Sequence, residues 1–300
     1  MGVSVEGIIA AEKRLKEIVK HTDLQLNASL SSKYECNIYL KREDLQIVRS
    51  YKLRGAYNAI DSLDKEDLTE GVVCASAGNH AQGVAYSCQK KQIKGWIFMP
   101  STTPNQKIKQ VAMFGKDFIE IILTGDSFDD AYTQAKSFCE EKKKTFIHPF
   151  NNTKVIEGQG TVGVEIFKDF VGEIDFLLAP IGGGGLVSGI STYFHKVSPD
   201  TNIIGVEPSG AASMTAALRE GQVVKLDKID KFIDGAAVQQ VGQLCLTICE
   251  KLIKDIITVP EGKVCSTIIQ LYNEQAIVAE PAGALTTAAL DSIKDQIKGK

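Results

Sequence analysis

Short apolar runs alternate with helical patterns along most of this chain. Strands are predicted at residues 72–75, 96–100, 118–123, 145–148, 174–181, 203–207 and 256–259. Helices are predicted at residues 53–63, 81–88, 104–114, 126–143, 186–197, 211–220, 241–253, 262–274 and 282–297. Strands that are wholly apolar and joined by helices are typical of parallel sheets covered on both faces. The sequence therefore predicts an α/β protein with two open parallel-sheet domains and a site in the crevice between them.

Lys52 is the first candidate for chemistry. It follows Tyr51 directly and precedes a helix with one apolar stripe, so the pattern places it at a strand-to-helix junction. A lysine held there can lose part of its solvation, which makes its amine neutral more easily and able to attack a carbonyl. Most lysines are solvated surface residues, so this segment by itself leaves both interpretations open.

A run of four glycines separates a predicted strand from the helix that begins at Leu186. The run consists of Gly182, Gly183, Gly184 and Gly185. Glycines let the backbone approach a ligand closely, and a helix N-terminus favours an anion, so this glycine loop predicts a phosphate site. The spacing misses the dinucleotide pattern by one residue, and Glu207 stands where a ribose-binding acid would stand. A dinucleotide enzyme is the alternative at this point.

A polar loop follows the predicted strand 72–75 and begins the next helix. It contains Ser76, Ala77, Gly78, Asn79 and His80. A serine, an amide and the free N–H groups of a helix start suit a carboxylate, although a plain helix cap would have the same residues. A cofactor with an aldehyde and a phosphate would use Lys52 and the glycine loop, and an amino acid would use the polar loop. Pyridoxal phosphate meets this need, whereas a dinucleotide leaves Lys52 unexplained.

Composition excludes several classes of partner. The net charge is -3 and the pI is near 5.9, so we expect neither nucleic acid nor an anionic membrane as a partner. Residues 1–7 lack the pattern of a secretory signal, and no apolar run approaches the roughly 20 residues that span a bilayer. Seven scattered cysteines suit reduced thiols in a cytoplasmic protein. Cys245 and Cys249 are four residues apart but lack a second metal-ligand pair, so we expect two core thiols.

Nine motifs occur in the order known from one enzyme group and extend over nearly the whole chain. They lie at residues 41–45, 50–56, 76–83, 148–150, 158–161, 182–186, 205–208, 234–236 and 280–284. In these motifs the chain resembles the fold-type II pyridoxal-phosphate enzymes, which share the tryptophan synthase β fold. It is most similar to the threonine dehydratase (threonine deaminase) family, in its biosynthetic, isoleucine-pathway branch.

The resemblance implies a role for each candidate residue. Lys52 forms the Schiff base with the cofactor, and Tyr51 stands beside it where relatives usually have phenylalanine. Asn79 bonds the cofactor's 3-hydroxyl oxygen. The cofactor phosphate is held by Gly182, Gly183, Gly184, Gly185 and Leu186. The substrate carboxylate is held by Ser76, Ala77, Gly78, Asn79 and His80. Gly235 and Glu280 line the pocket. A large cofactor-binding domain would comprise residues 1–45 and 148–300, and a small substrate-binding domain residues 46–147.

The chain departs from the family pattern in two places. Relatives with a divalent metal pair a glutamate like Glu207 with a nearby aspartate, but residues 210–213 contain none, so no metal is predicted. The family continues into a strand and a Ser-Gly-Gly-Asn turn that bonds the pyridine nitrogen, followed in biosynthetic members by a regulatory domain. This sequence ends at Lys300, before both, and we expect the ring nitrogen to lack that partner here.

The expected reaction is β-elimination of L-threonine to 2-oxobutanoate and ammonia, with Lys52 as base for the α-proton. This is the first step of isoleucine biosynthesis, and L-serine would give pyruvate. One methyl group is worth only about 1–3 kcal/mol in a pocket, so the sequence does not decide between the two substrates. A cytoplasmic homo-oligomer, dimer or tetramer, is expected. The alternatives are a serine racemase, a catabolic threonine/serine dehydratase, a dinucleotide dehydrogenase, and a truncated domain that binds pyridoxal phosphate without turnover.

Overall fold

The structure is a computed structural model that describes residues 2–300. Its nine strands are β1 (Leu24–Leu26), β2 (Tyr39–Lys41), β3 (Val72–Ala75), β4 (Gly95–Met99), β5 (Ile119–Leu123), β6 (Thr145–Phe146), β7 (Phe176–Pro180), β8 (Asn202–Pro208) and β9 (Asp255–Val259). A four-stranded parallel sheet has the order β5-β4-β3-β6, and a three-stranded parallel sheet has the order β7-β8-β9. Strands β1 and β2 form a separate antiparallel pair. The predicted α/β architecture with two parallel sheets is confirmed.

Helices cover these sheets. They are α1 (Val5–Leu15), α2 (Ala28–Tyr34), α3 (Lys52–Asp61), α4 (Lys65–Glu70), α5 (Asn79–Lys91), α6 (Asn105–Gly115), α7 (Phe128–Lys142), α8 (Thr153–Asp169), α9 (Gly185–Val197), α10 (Ser213–Glu220), α11 (Gln243–Leu252), α12 (Glu261–Gln275), α13 (Pro281–Ala289) and α14 (Lys294–Ile297). Within residues 2–300, none of these helices has both the length and the apolar character that crossing a membrane requires.

Each parallel sheet has its own apolar core. Ile60 of α3, Cys74 of β3 and Val84 of α5 belong to the core of the four-stranded sheet. Ile181 and Phe194 belong to the core that β7, α8 and α9 share. Cys245 and Cys249 are also buried in this second core, which confirms their prediction as core thiols. Each parallel sheet is thus covered by its own set of buried apolar side chains.

Helix α8 was not predicted, although it is 17 residues long and buried over most of its length. Its glycines disfavour a helix by propensity, and residues 149–152 before it indicate only a turn. The packing explains them. A Cβ on Gly158 would lie 2.5 Å from the Arg54 carbonyl oxygen, and a Cβ on Gly160 would lie 3.0 Å from the Gly189 carbonyl oxygen. Glycine at these two positions lets α8 pack closely between α3 and α9.

Two local predictions are wrong. The predicted helix 282–297 is interrupted, since α13 ends at Ala289 and a single 3-10 turn, Leu290–Ser292, precedes α14. The turn redirects the chain so that Ile293 and Ile297 pack against α2. The sequence also predicts that Lys52 lies at a strand-to-helix junction. The strand before it, β2, is antiparallel to β1, and residues 42–51 separate β2 from α3.

Candidate functional site

A cavity of about 1160 Å³ is bordered by β7 and by residues of α5 and α6. Among the predicted site residues, its walls include Tyr51, Lys52, Asn79, Gly182, Leu186, Gly235 and Glu280. The edge of β7 forms another part of the wall. Residues that are far apart in the sequence therefore meet around one cavity, as expected for a small-molecule site.

Lys52 is the first residue of α3 and is partly buried. Its Nζ atom donates a hydrogen bond to the Pro149 carbonyl oxygen at 3.4 Å and lies 5.4 Å from the centre of the Tyr51 ring. Among residues 2–300, no carboxylate lies within 4.0 Å of Nζ. The amine therefore faces the cavity without a carboxylate in direct contact, which leaves it accessible as a nucleophile.

A buried charge cluster anchors the helix that carries Lys52. Arg54, whose side chain is only 1% exposed, pairs with Glu43 at 2.7 Å and with Glu165 of α8 at 2.6 Å. Lys41 also pairs with Glu165, at 2.7 Å. Because an arginine fork fixes both distance and direction, these bonds hold the first turn of α3 against α8. Motifs 41–45 and 50–56 contain three of these residues, but only the structure joins them to Glu165.

The glycine loop lies between β7 and α9. Gly184 has a φ of +93°, a conformation that favours glycine. A Cβ on Gly183 would lie 2.2 Å from the Phe150 ring, and one on Gly184 would lie 2.7 Å from the Cys245 Cβ. Gly183, Gly184 and Gly185 are buried, while Gly182 and Leu186 line the cavity. The loop thus has no room for side chains and leads into the N-terminus of α9, a geometry that fits a phosphate.

The polar loop leads from β3 into α5, which begins at Asn79. The Gly78 N–H donates to the Ser76 hydroxyl at 3.2 Å. The Asn79 amide donates to both carboxylate oxygens of Glu280, at 2.8 and 2.9 Å, and so links the two sides of the cavity. The cavity walls desolvate Glu280 and raise its pKa, although the side chain stays accessible from the cavity.

His80 does not reach the cavity through its ring, contrary to the expected substrate contact. The ring is buried, and its Nε2–H donates to the Ile147 carbonyl oxygen at 2.9 Å. Burial, and next the charge of Lys52, lower the pKa of His80 to about 3, so the ring is neutral. Only the main chain of His80, at the start of α5, can bind a carboxylate. Ser76, Ala77 and Gly78 likewise lie outside the cavity walls.

Glu207 has a structural task. It is fully buried at the end of β8 and accepts hydrogen bonds from the N–H groups of Met214 and Thr215, at 2.7 and 2.8 Å. The Thr215 hydroxyl donates to it as well, at 2.7 Å. Burial raises the pKa of Glu207. Its oxygens are occupied by the start of α10, so it is not free to bind a ribose.

Residues 148–150 contribute to the site, which the sequence does not predict. They form a motif in the sequence, but the sequence indicates no role for them. The structure places the Pro149 carbonyl on the Lys52 amine and the Phe150 ring against Gly183. The motif itself is the signal that could have identified them.

Comparison with known proteins agrees with this geometry. Residues 15–300 match the family described as pyridoxal-phosphate dependent enzyme. The chain is 58% identical to the biosynthetic L-threonine dehydratase of Halalkalibacterium halodurans, over 99% of this chain and 72% of that protein. Identity to the Bacillus subtilis enzyme of the same name is 59%, over 99% and 71%. The structure of processed threonine deaminase isoform 2 from Solanum lycopersicum superposes with a TM-score of 0.92, at 39% identity, over 100% and 88%.

Proposed function

This chain belongs to the pyridoxal-phosphate-dependent enzymes, and from that membership we infer that it deaminates L-threonine to 2-oxobutanoate and ammonia. The same inference makes it an ammonia-lyase of isoleucine biosynthesis. One observation carries the site assignment: the Lys52 amine, both ends of the glycine loop (Gly182 and Leu186) and Asn79 of the polar loop line one cavity. L-serine, which lacks only the β-methyl group, would give pyruvate.

The residues present fit the cofactor. Lys52 supplies an amine without a neighbouring carboxylate for its aldehyde carbon, and the closely packed glycine loop with the start of α9 supplies main-chain N–H groups for its phosphate. Leu186, Gly235, Asn79 and Glu280 line the space between them. When bound, pyridoxal phosphate supplies an electron sink that stabilises negative charge on the substrate α-carbon.

The residues of this chain then have separate tasks. The Lys52 amine removes the α-proton, since it lines the cavity and its polar contact within residues 2–300 is a carbonyl. The start of α5, where Asn79 lines the cavity, binds the substrate carboxylate, because a helix N-terminus favours an anion. The bond between Asn79 and Glu280 joins the two sides of the cavity.

Lys52→Ala tests the assignment, with Lys251→Ala of the exposed face of α11 as the matched control. The purified wild type and the control are expected to show a yellow, borohydride-reducible chromophore and to release 2-oxobutanoate from threonine. The Lys52 variant should lose both properties. A Lys52→Ala protein that keeps the chromophore and still forms the oxo acid would refute this role.

Serine racemisation is the second candidate, because maize serine racemase superposes with a TM-score of 0.92 at 30% identity. The greater identity to threonine dehydratases favours deamination. The ratio of D-serine to pyruvate formed from L-serine separates the two activities. A ratio well above one would favour the racemase. The dinucleotide alternative is disfavoured by the occupied oxygens of Glu207.

We further propose a cytoplasmic homo-oligomer with two domains per chain, divided into residues 1–45 plus 148–300 and residues 46–147. Two separate cores support the division.

Ile269 and Tyr272 lie three residues apart on α12 and are each 61% exposed, which supports a subunit interface there. Seven free cysteines suit a reducing compartment. Light scattering on the purified protein tests the oligomer, and a monomer at micromolar concentration would contradict it.

A further inference from the structure

We infer that His148 is a positioning residue for this reaction: its ring holds the turn of residues 148–151, and that turn sets both the Lys52 amine and the glycine loop. The inference rests on the proposed function, because it takes Lys52 as the cofactor lysine and the glycine loop as the phosphate site.

The ring of His148 holds the turn through its Nδ1 atom. This atom accepts the N–H of Phe150 at 3.2 Å and the N–H of Asn151 at 2.9 Å. An accepting Nδ1 requires a neutral ring with its hydrogen on Nε2. Burial, and next the charges of Lys52 and Lys136, lower the pKa of His148 to about 4. The ring is therefore neutral at pH 7 and satisfies two main-chain donors without adding charge beside the Lys52 amine.

The turn of residues 148–151 contacts the Lys52 amine. Its Pro149 carbonyl oxygen accepts the Lys52 Nζ hydrogen bond at 3.4 Å. The Pro149 carbonyl belongs to the peptide whose N–H, that of Phe150, donates to His148. Because a peptide group is planar, a bond that fixes its N–H also fixes the direction of its carbonyl. His148 thus acts on Lys52 through a single peptide plane.

The same turn supports the glycine loop. The Phe150 ring packs edge-on against the His148 ring, with 4.7 Å between ring centres. Its other side meets the glycine loop, where a Cβ on Gly183 would lie 2.2 Å away and a Cβ on Gly185 would lie 3.1 Å from the Phe150 Cβ. The Phe150 carbonyl oxygen accepts from the Cys245 thiol at 3.6 Å. Movement of this ring would therefore displace the loop.

Asn151 ties the turn to a further segment. Its side-chain oxygen accepts the Leu244 N–H at 3.0 Å, and the Gly242 N–H donates to the Gly183 carbonyl oxygen at 3.2 Å. The turn, residues 242–244 and the glycine loop are thus joined by hydrogen bonds. Loss of the His148 acceptor leaves the partly buried Phe150 N–H without a partner beside the Pro149 carbonyl that contacts Lys52, whereas the exposed Asn151 N–H can bond to water.

The test compares His148→Leu with His148→Asn. The two replacements have nearly the same shape, but only asparagine keeps an acceptor close to the position of Nδ1. His195→Leu, on the exposed end of α9, is the control. Pyridoxal phosphate is titrated into each apoprotein and its dissociation constant is read from the absorbance. Circular dichroism establishes that each variant is folded, and His148→Ala replaces the leucine variant if that one is not.

The leucine variant is expected to bind the cofactor at least about 10-fold more weakly than wild type, because a partly buried N–H group without an acceptor is costly and the turn must move to satisfy it. The asparagine variant should stay within about threefold of wild type, and the control should be unchanged. The inference is overturned if the leucine variant binds within threefold of wild type, or if asparagine is as weak as leucine. Peptide mapping after borohydride reduction separates the two proposals. Label on a lysine other than Lys52 refutes the proposed site, whereas label on Lys52 with normal affinity in the leucine variant refutes only the role of His148.

Discussion

Arg54→Met removes the positive charge at the centre of the buried cluster that anchors α3. In the wild type, the guanidinium donates two hydrogen bonds to Glu43, at 2.7 and 2.9 Å, and two to Glu165, at 2.6 and 2.9 Å. Methionine fills a similar volume but offers no donor. The two carboxylates are then left in a place where their side chains are only 13% and 8% exposed.

Removal of one partner of a buried ion pair costs roughly 3–5 kcal/mol, since the other charge remains buried. Two contacts survive here. Lys41 still pairs with Glu165 at 2.7 Å, and the Thr22 hydroxyl still donates to Glu43 at 2.5 Å. We therefore expect a loss near the lower end of that range, about 3 kcal/mol in the free energy of unfolding at pH 7.

The loss should depend on pH. Burial disfavours the charged form of Glu165, but the bonds and charges of Arg54 and Lys41 outweigh it and lower the pKa of Glu165 in the folded protein. A lowered carboxyl pKa stabilises the fold above the unfolded value, about 4.3, and this stabilisation is lost as the pH falls through the folded value. The difference between wild type and Arg54→Met should thus be largest at neutral pH and shrink below about pH 4.

Urea unfolding followed by circular dichroism measures these free energies. Arg219→Met, at a position where the side chain is 77% exposed, is the matched control and should change little. Adding Glu43→Gln to Arg54→Met removes the carboxylate charge that has lost its cationic partner and should recover part of the loss. A single variant within about 1 kcal/mol of wild type, or a double variant no more stable than the single one, would refute this account of the cluster.

Two further predictions concern the glycine loop and the buried histidines. Gly183→Ala places a methyl group against the Phe150 ring and should weaken pyridoxal phosphate binding by about 10-fold or more in an absorbance titration. The control Gly262→Ala, with open space around the new methyl group, should not weaken binding. Equal affinities of the two variants would contradict the contact between the glycine loop and Phe150. His80 and His148 should titrate near pH 3 and 4 by NMR, below their unfolded value of about 6.5. As the pH drops below about 6.5, these histidines bind protons in the unfolded chain before they do so in the folded protein, so the free energy of unfolding should fall. Histidine rings that titrate above pH 6 in the folded protein would disprove this prediction.

Much of the architecture follows from residues close together in the sequence. The apolar run of β3 and the glycines between β7 and α9 are local features, and both are found where the sequence predicts them. A strand needs only a short apolar segment that can be buried on both faces, and a phosphate loop needs only the conformational freedom of glycine before a helix start. Neither depends on which distant residue arrives beside it.

The rest required partners that local patterns do not identify. Helix α8 contains glycines that argue against a helix until α3 and α9 pack on them. The ring of His80 turns to a carbonyl 67 residues away. The neighbours of Lys52 in the sequence indicate its role, but the hydrogen-bond acceptor of its side chain in the structure lies 97 residues further along the chain. The sequence alone therefore determined which side chains are suited to this chemistry. Only the tertiary structure decided which of them face the cavity, because burial and hydrogen bonding are settled between residues remote in the chain.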